Sequence, residues 1–448
     1  MTTALPTQER FFGWTLAHRD AFSVADFLAV PDGAPLTEDA LVDLAAALVG
    51  AHEELRLFVP EGSEDVFHHA TLSPEVLRGN VSSHDLRAVR EPAEQFEGFL
   101  RAAVGSHGRF SLAAGNVLRL DQLLLPDCAP LIHVGCHHLV ADMVSVRLVA
   151  RAARRFLSSG RPPRPSSLAA LRRATRDYRR SPDYKEEEKF WARHFERLPD
   201  RTDRFATEAH RSASPRPSLE LGAELSESLR RCSSATGIPI WVALAAGTID
   251  AYRDCLGSLD FAIDLVESGR DLRGFDREAR ESARSAVSWL STTSTLAVGA
   301  GAFGPDRPAR SAARWLFEEL KRRPTGPVGP LMQKNDRMRG EGELGFTPPN
   351  ASLYFNFLGP TYRDLWPELA TLAASAGRPL DETVDSFYGA MRSGRTESFL
   401  LKIFVYETGQ HFVVKSESQL SEAESRDFGK SLRRALERIC ADEFGGSP

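Results

Sequence analysis

The sequence predicts a mixed α/β protein built as two lobes, and three observations carry that expectation. The chain has 448 residues, more than one compact core usually holds. Short apolar runs alternate with amphipathic stretches in both halves. A Pro/Arg/Ser-rich segment, Gly160 to Ser167 (GRPPRPSS), reads as a crossing between them, with a boundary near residue 180. The lobes are therefore expected at residues 1–180 and 181–448. Hydrophobic residues make up 42% of the chain, ample for buried cores and too many for a disordered polymer.

Along the first half, Leu36 to Arg56 places Leu41, Leu44, Leu48 and Leu55 at helical spacing with charges between them, and a strand start follows at Leu57 to Pro60. Leu131 to Cys136 suits a buried strand. The spacing then turns helical from Leu139 to Leu157, with Arg151, Arg154 and Arg155 in the last turns, where cations suit the helix dipole. Beyond the crossing, Lys185 to Leu198 is helical, and its opening Lys185-Glu186-Glu187-Glu188-Lys189 reads as an exposed turn with intrahelical pairs. A Pro/Ser-rich passage ends near Pro217. An apolar helix (Ile240 to Tyr252), strands at Leu259 to Val266, Ser291 to Val298 and Ser352 to Leu358, a hairpin over Phe399 to Lys415 turning at Thr408-Gly409, and a closing helix (Ser421 to Cys440) complete the pattern.

Composition removes several functional classes. With 56 Lys+Arg against 61 Asp+Glu the formal charge is −5, which gives no general attraction to nucleic acid or an anionic membrane. The longest apolar run, Ile238 to Ile249, is too short to cross a bilayer and contains Pro239. The first fifteen residues lack the basic and apolar regions of a secretory signal, so a cytoplasmic protein is expected. Five cysteines, odd in number and without a C-x-x-C pair, fit neither a disulfide framework nor a structural zinc site. Gly299 to Gly304 matches G-x-G-x-x-G, but Pro305 and Pro308 follow at once and a loop is the better reading. His18-Arg19-Asp20 and Asp427-Phe428-Gly429 look like kinase motifs without the glycine-rich loop or catalytic Asn. With no G-x-S-x-G elbow and no Walker loop, covalent serine catalysis and ATP-driven ligation lose support.

The chemistry concentrates at His137-His138-Leu139-Val140-Ala141-Asp142-Met143-Val144-Ser145, where a strand ends and a helix begins. Strand alternation sends neighbouring side chains to opposite faces, which disfavours a two-histidine metal site. One imidazole can serve a cleft as base or hydrogen-bonding group while the other turns inward; the alternative is a pair of structural histidines. Asp142 can stabilise the helix start or pair with an arginine from elsewhere.

This stretch resembles the HHxxxDG motif of the condensation-domain superfamily of nonribosomal peptide synthetases, which has a chloramphenicol-acetyltransferase-like fold. His52-Glu53-Glu54-Leu55-Arg56 is similar to its HExLR, Phe190-Trp191 to its YW, Gly269-Arg270 to its GR, Val287 to Thr293 (VSWLSTT) to VGWFTSL, and Phe355-Asn356-Phe357-Leu358-Gly359 to FNYLG. The ordered partial matches cover nearly the whole chain. The resemblance implies two lobes in a V-shaped pseudo-dimer, with a central tunnel reached by the phosphopantetheine arms of carrier proteins. It makes His138 the catalytic residue at the donor thioester, with His137 and Asp142 structural, Asp142 paired to Arg270, and Asn356 near the tunnel. No metal or organic cofactor of its own is implied.

Two departures qualify the resemblance. Met143 stands where the family has Gly, so Met143, with Ser145 beyond it, is expected to modulate the tunnel. The epimerization subfamily is resembled as closely, yet the glutamate it needs aligns with Val266, Glu267 being one residue out of register, and the Tyr of its NY is Phe357. The expected function is a free-standing condensation enzyme that forms an amide from a carrier-protein thioester and an amine, with carriers arriving in trans. A catalytically silent docking domain, an epimerase and an ester-forming acyltransferase are the alternatives. Arg172, Arg173, Arg176, Arg179 and Arg180 form a basic cluster expected to be a solvated face, with an acidic carrier protein as the partner it would suit.

Overall fold

Apolar strands, some buried along their whole length, build two large sheets, and Leu57–Phe58 pairs with His68–His69 in a two-stranded third. In the computed structural model, which describes residues 4–12, 23–60, 67–89, 91–105, 110–196, 214–215, 219–257, 260–299, 309–326, 328–338, 351–360, 364–375, 401–408, 411–418 and 420–444, the chain divides into two units. The first comprises Met1–Arg179, Phe275–Ser291 and Thr361–Gly394; the second comprises Arg180–Gly274, Thr292–Pro360 and Arg395–Pro448. Where the sequence suggests a single boundary near residue 180, the chain also returns to the first unit at Phe275–Ser291 and around helix Leu365–Ser375. No local pattern marks these returns, because they are defined by long-range packing.

The first unit carries helices α1 (Pro6–Phe12), α2 (Glu38–Ala51), α3 (Pro74–Arg78), α4 (Pro92–Gly105), α5 (Met143–Ser159) and α6 (Ala169–Arg179), with helix Arg277–Ser285 added by the return. Its sheet contains β1 (Ser23–Ala29), β2 (Val81–Asp85), β3 (Leu118–Leu124) and β4 (Leu131–His137) in the order β1-β4-β3-β2. All its pairs are antiparallel except the parallel β2/β3 pair. Ile132, Val134 and Cys136 of β4 bury against Leu41, Leu44 and Leu48 of α2 and Val146 and Val149 of α5. Each such side chain contributes about 1.5–3 kcal/mol on leaving water.

The second unit holds α7 (Pro182–Phe195), α8 (Ala223–Thr236), α9 (Ile240–Leu256), α10 (Ala309–Arg322), α11 (Val328–Met338) and α12 (Glu422–Phe444). Strands β5 (Phe261–Glu267), β6 (Thr292–Val298), β7 (Leu353–Gly359), β8 (Leu401–Glu407) and β9 (Phe412–Ser418) run in the order β6-β5-β7-β8-β9, and short strands Ser214–Pro215 and Leu219–Glu220 both pair with β9. Ile263, Leu265, Phe355, Ile403 and Val405 share a core with Leu244, Ile249, Leu432 and Leu436. At Gly247 of α9 a Cβ would stand 2.5 Å from Leu436 Cδ2, so the missing side chain lets α12 approach. Asp427-Phe428-Gly429 is part of α12, which disposes of the kinase-like reading. Among the described residues no single helix is long and apolar enough to cross a membrane.

Two local expectations change. The helix expected from Leu139 begins at Met143, because Asp142 caps it with extended backbone (φ −110°, ψ −179°) and Leu139 to Ala141 form a buried turn ahead of it. Glu187, read as part of an exposed turn, is buried and accepts hydrogen bonds from Trp191 Nε1 (3.1 Å) and Thr325 Oγ1 (2.7 Å). Glu186 and Lys189 form the expected surface pair. Residues 300–304 of the glycine-rich stretch, His18-Arg19-Asp20, Gly409 and, apart from Ser214–Pro215, the passage ending at Pro217 lie outside the described residues.

Candidate functional site

Strand β4 ends at His137 and α5 starts at Met143, so His138 sits on neither element, at the exit of the strand. His137, the last residue of a strand buried along its whole length, is fully buried, and His138 beyond it is half-buried. Leu139 N–H donates to His137 Nδ1 (3.1 Å) and Val140 N–H to its carbonyl (3.0 Å). An Nδ1 that accepts is unprotonated, so a neutral His137 carries its proton on Nε2. Its ring meets Phe110 edge-on at 5.9 Å. His137 thus acts as a peg in the turn, and His138 follows it at the strand exit.

The ring of His138 packs edge-on against the indole of Trp289, 4.9 Å between centroids at 60°, a contact worth about 0.5–1.5 kcal/mol beyond simple burial. Trp289 belongs to the returning segment, in the VSWLSTT stretch. The start of α5 holds that segment on both sides of the indole. Asp142 Oδ1 accepts from Ser145 N–H (2.8 Å), while Oδ2 accepts from Leu290 N–H (2.9 Å) and Ser291 N–H (2.8 Å). Ser145 Oγ donates to Ser288 O (2.6 Å) and accepts from Ser288 N–H (2.9 Å).

Ser145, expected to modulate a tunnel, is therefore a buried clamp whose hydroxyl is spent on the Ser288 backbone. Met143 occupies the first turn of α5 and is half-buried. Within the first unit Asp142 holds three backbone amides. Arg270, expected as its partner, lies in the second unit, where Nη1 donates to Ser268 O (2.9 Å). Asn356 lies on β7 with Val266 and Phe404 as its cross-strand neighbours. The structure thus brings His137, His138, Asp142, Met143 and Ser145 together within the first unit. Motif reading alone does not show that the Trp of VSWLSTT is the surface against which His138 rests.

The HExLR-like turn supplies a buried charged layer behind this site. Glu54, fully buried, accepts from Arg172 Nη2 (2.5 Å) and Gln8 Nε2 (2.7 Å). Burial alone would raise its pKa, but the Arg172 charge and these hydrogen bonds outweigh that and lower it. Arg172 also reaches Glu53 (3.4 Å), and Arg179 grips Glu9 through both terminal nitrogens at 2.9 Å. Arg172 is accordingly structural, while Arg173 and Arg176 pair at the surface with Glu278 and Asp177. The solvated face expected of the cluster narrows to its exposed members Arg173, Arg176 and Arg180.

His52, next in the same motif, bonds Ser166 Oγ through Nδ1 (2.9 Å), and burial pushes its pKa down to about 4. The unfolded chain, with an ordinary histidine near pH 6.5, binds that proton first. Stability from a neutral His52 is thus complete above about pH 6.5 and is lost as pH falls toward 4. His52→Gln is expected to flatten urea midpoints between those pH values; an unchanged slope would refute the assignment.

In the second unit, Glu267 is held by Arg323 through both oxygens (2.5 and 2.7 Å), and Arg323 also donates to Ser294 Oγ (2.8 Å). β5 pairs with β6 in unbroken register through Val266 and Glu267. No bulge returns Glu267 to the face shared by Val266 and Asn356.

The architecture is that of the condensation and epimerization domains of nonribosomal peptide synthetases, the fold expected from the motif order. It matches the epimerization domain from the third module of tyrocidine synthetase B with a TM-score of 0.73 at 18% identity, over 98% of this chain and 96% of that one. It matches the first condensation domain of the calcium-dependent antibiotic synthetase, in complex with a substrate analogue, with a TM-score of 0.63 at 19% identity over 98% and 96%. In sequence, 160 residues are 31% identical to the phosphinothricin tripeptide synthetase PhsC of Streptomyces viridochromogenes, covering 34% of this chain and 14% of that synthetase. The match thus spans a small part of that relative's length. No family model matches the chain.

Proposed function

We propose that the protein is a condensation-type acyltransferase of nonribosomal peptide or related natural-product biosynthesis. In this reading it transfers an acyl or aminoacyl group from a carrier-protein thioester, supplied in trans, to an amine. The observation that carries the reading is the division of labour between the two histidines: His137 is consumed by its own turn, and His138 is presented at the strand exit on Trp289. The amine nitrogen attacks the thioester carbonyl, the C–N bond forms, the C–S bond breaks, and the amine proton leaves as the thiolate departs. An α-amine titrates near pH 7.7–8.0, so about a tenth or more of it is already the nucleophilic free base at pH 7, and His138 acts by orienting the nitrogen as well as by taking its proton. Arg270 and Asn356 are read as supporting residues, and Met143 as a side chain that restricts approach to His138.

Epimerization is the second reading, favoured by the fold match to the tyrocidine synthetase domain. It requires a carboxylate on the far side of the substrate α-carbon. The aligned position holds Val266, and Glu267 is tied to Arg323, which supports condensation. An assay with an aminoacyl carrier thioester and an amine in deuterated buffer separates the two. Condensation yields amide without α-deuterium; α-exchange without amide would overturn the proposal in favour of epimerization.

A further inference from the structure

The turn that carries His138 is neither strand nor helix, so the direction of its imidazole depends on whatever fixes the residues around it. Two consecutive residues of α1, absent from every motif noted in the sequence, do this from opposite sides. Thr7 Oγ1 donates to the carbonyl of Trp289, the residue whose indole packs on His138. Gln8 Nε2 donates to the carbonyl of Leu139, the residue after His138 (3.3 Å), and also to Glu54 Oε2 (2.7 Å). Both side chains are buried, Thr7 at 4% and Gln8 at 0% exposure.

The division follows from helix geometry. Successive side chains leave a helix about 100° apart, so Thr7, Gln8 and Glu9 point to three different partners: the returning segment, the histidine turn and Arg179 of α6. Gln8 is itself held in place, because its Oε1 accepts Leu5 N–H (3.0 Å) and its second acceptor, Glu54, is fixed by Arg172. Neither residue has to be near the substrate to act. One holds the platform on which the ring rests, and the other holds the backbone from which it projects.

We infer that Thr7 and Gln8 are positioning residues that set the orientation of the His138 imidazole through Trp289 and Leu139. For its effect on catalysis the inference rests on the reading of His138 given above; the orientation itself does not. The test compares Thr7→Val, which keeps shape but loses the donor, with Thr7→Ser, which restores it, and with Gln8→Met. Two measurements are made at a temperature where every variant is folded by circular dichroism. One is the NMR titration of His138 in histidine-labelled protein, its signal assigned by its loss in His138→Gln. The other is the kcat and KM for amide formation from a carrier thioester.

Thr7→Val is expected to move the His138 titration midpoint and lower kcat about tenfold at unchanged KM, and Thr7→Ser to return both. Should Thr7→Val not fold, Gln8→Met carries the test alone: a moved His138 titration with lowered kcat at unchanged KM supports the inference, and wild-type values of both overturn it. A wild-type His138 titration and kcat in both Thr7→Val and Gln8→Met would overturn the inference. If His138→Gln itself retains full activity, the proposed function fails, while the titration still decides whether α1 orients the ring.

Discussion

His138→Ala is expected to lower kcat for amide formation by about 10²–10⁴-fold, the usual contribution of a positioned acid–base side chain, without a matching loss of stability. The stability part follows from its half-buried position outside both β4 and α5. Truncation leaves the Trp289 segment held through its neighbours Ser288, Leu290 and Ser291, which Ser145 and Asp142 anchor. The rate part depends on how the proton is managed. If His138 takes the amine proton, the alanine variant regains activity at pH values above the amine's own titration, where the nucleophile needs no base. If orientation dominates, the deficit stays constant with pH.

His137→Ala is the contrasting control. It removes a fully buried ring and strands the Leu139 N–H, so it should cost several kcal/mol of folding stability. Measuring denaturant midpoints beside rates separates the two histidines. Equal rate losses at equal stability would show that His137 shares the chemistry.

Much of this arrangement is legible in the sequence because its signals are local. The Leu41, Leu44 and Leu48 spacing gives α2, and the apolar run at Leu131 gives β4. The pattern places the start of α5 too early because Leu139, Val140 and Ala141 are apolar enough to extend a helical period; the capping aspartate at 142 is the signal that marks the true start. What stays hidden is non-local. The Ser145 bond to Ser288 spans 143 residues and the Thr7 bond to Trp289 spans 282, and no periodicity encodes either. Glu187 misleads for the same reason, since its surface-like KEEEK setting gives no hint of Thr325, nor of Gly329, whose missing Cβ leaves room for its carboxylate.

Asp142→Ala is expected to damage both stability and activity. The carboxylate accepts three backbone N–H groups at 2.8–2.9 Å while itself only 1% exposed. Removing it uncaps α5 and leaves amides of Leu290 and Ser145 buried without their acceptor, at about 1–3 kcal/mol for each unsatisfied group. A net loss of about 3–5 kcal/mol is therefore expected in urea unfolding. Activity should fall even in the folded fraction, because the segment that presses Trp289 against His138 loses two of its anchors.

Asn at this position retains a single oxygen acceptor and cannot serve both the cap and the returning segment, so Asp142→Asn should show an intermediate loss. Arg270→Met discriminates between causes. If Asp142 acts chiefly through backbone amides, Arg270→Met leaves the urea midpoint well above that of Asp142→Ala; coincident midpoints for the two variants would mean that an ion pair with Arg270 carries the effect. The outcome bears on mechanism as well as stability, because a carboxylate held by amides is a fixed strut for the histidine's platform.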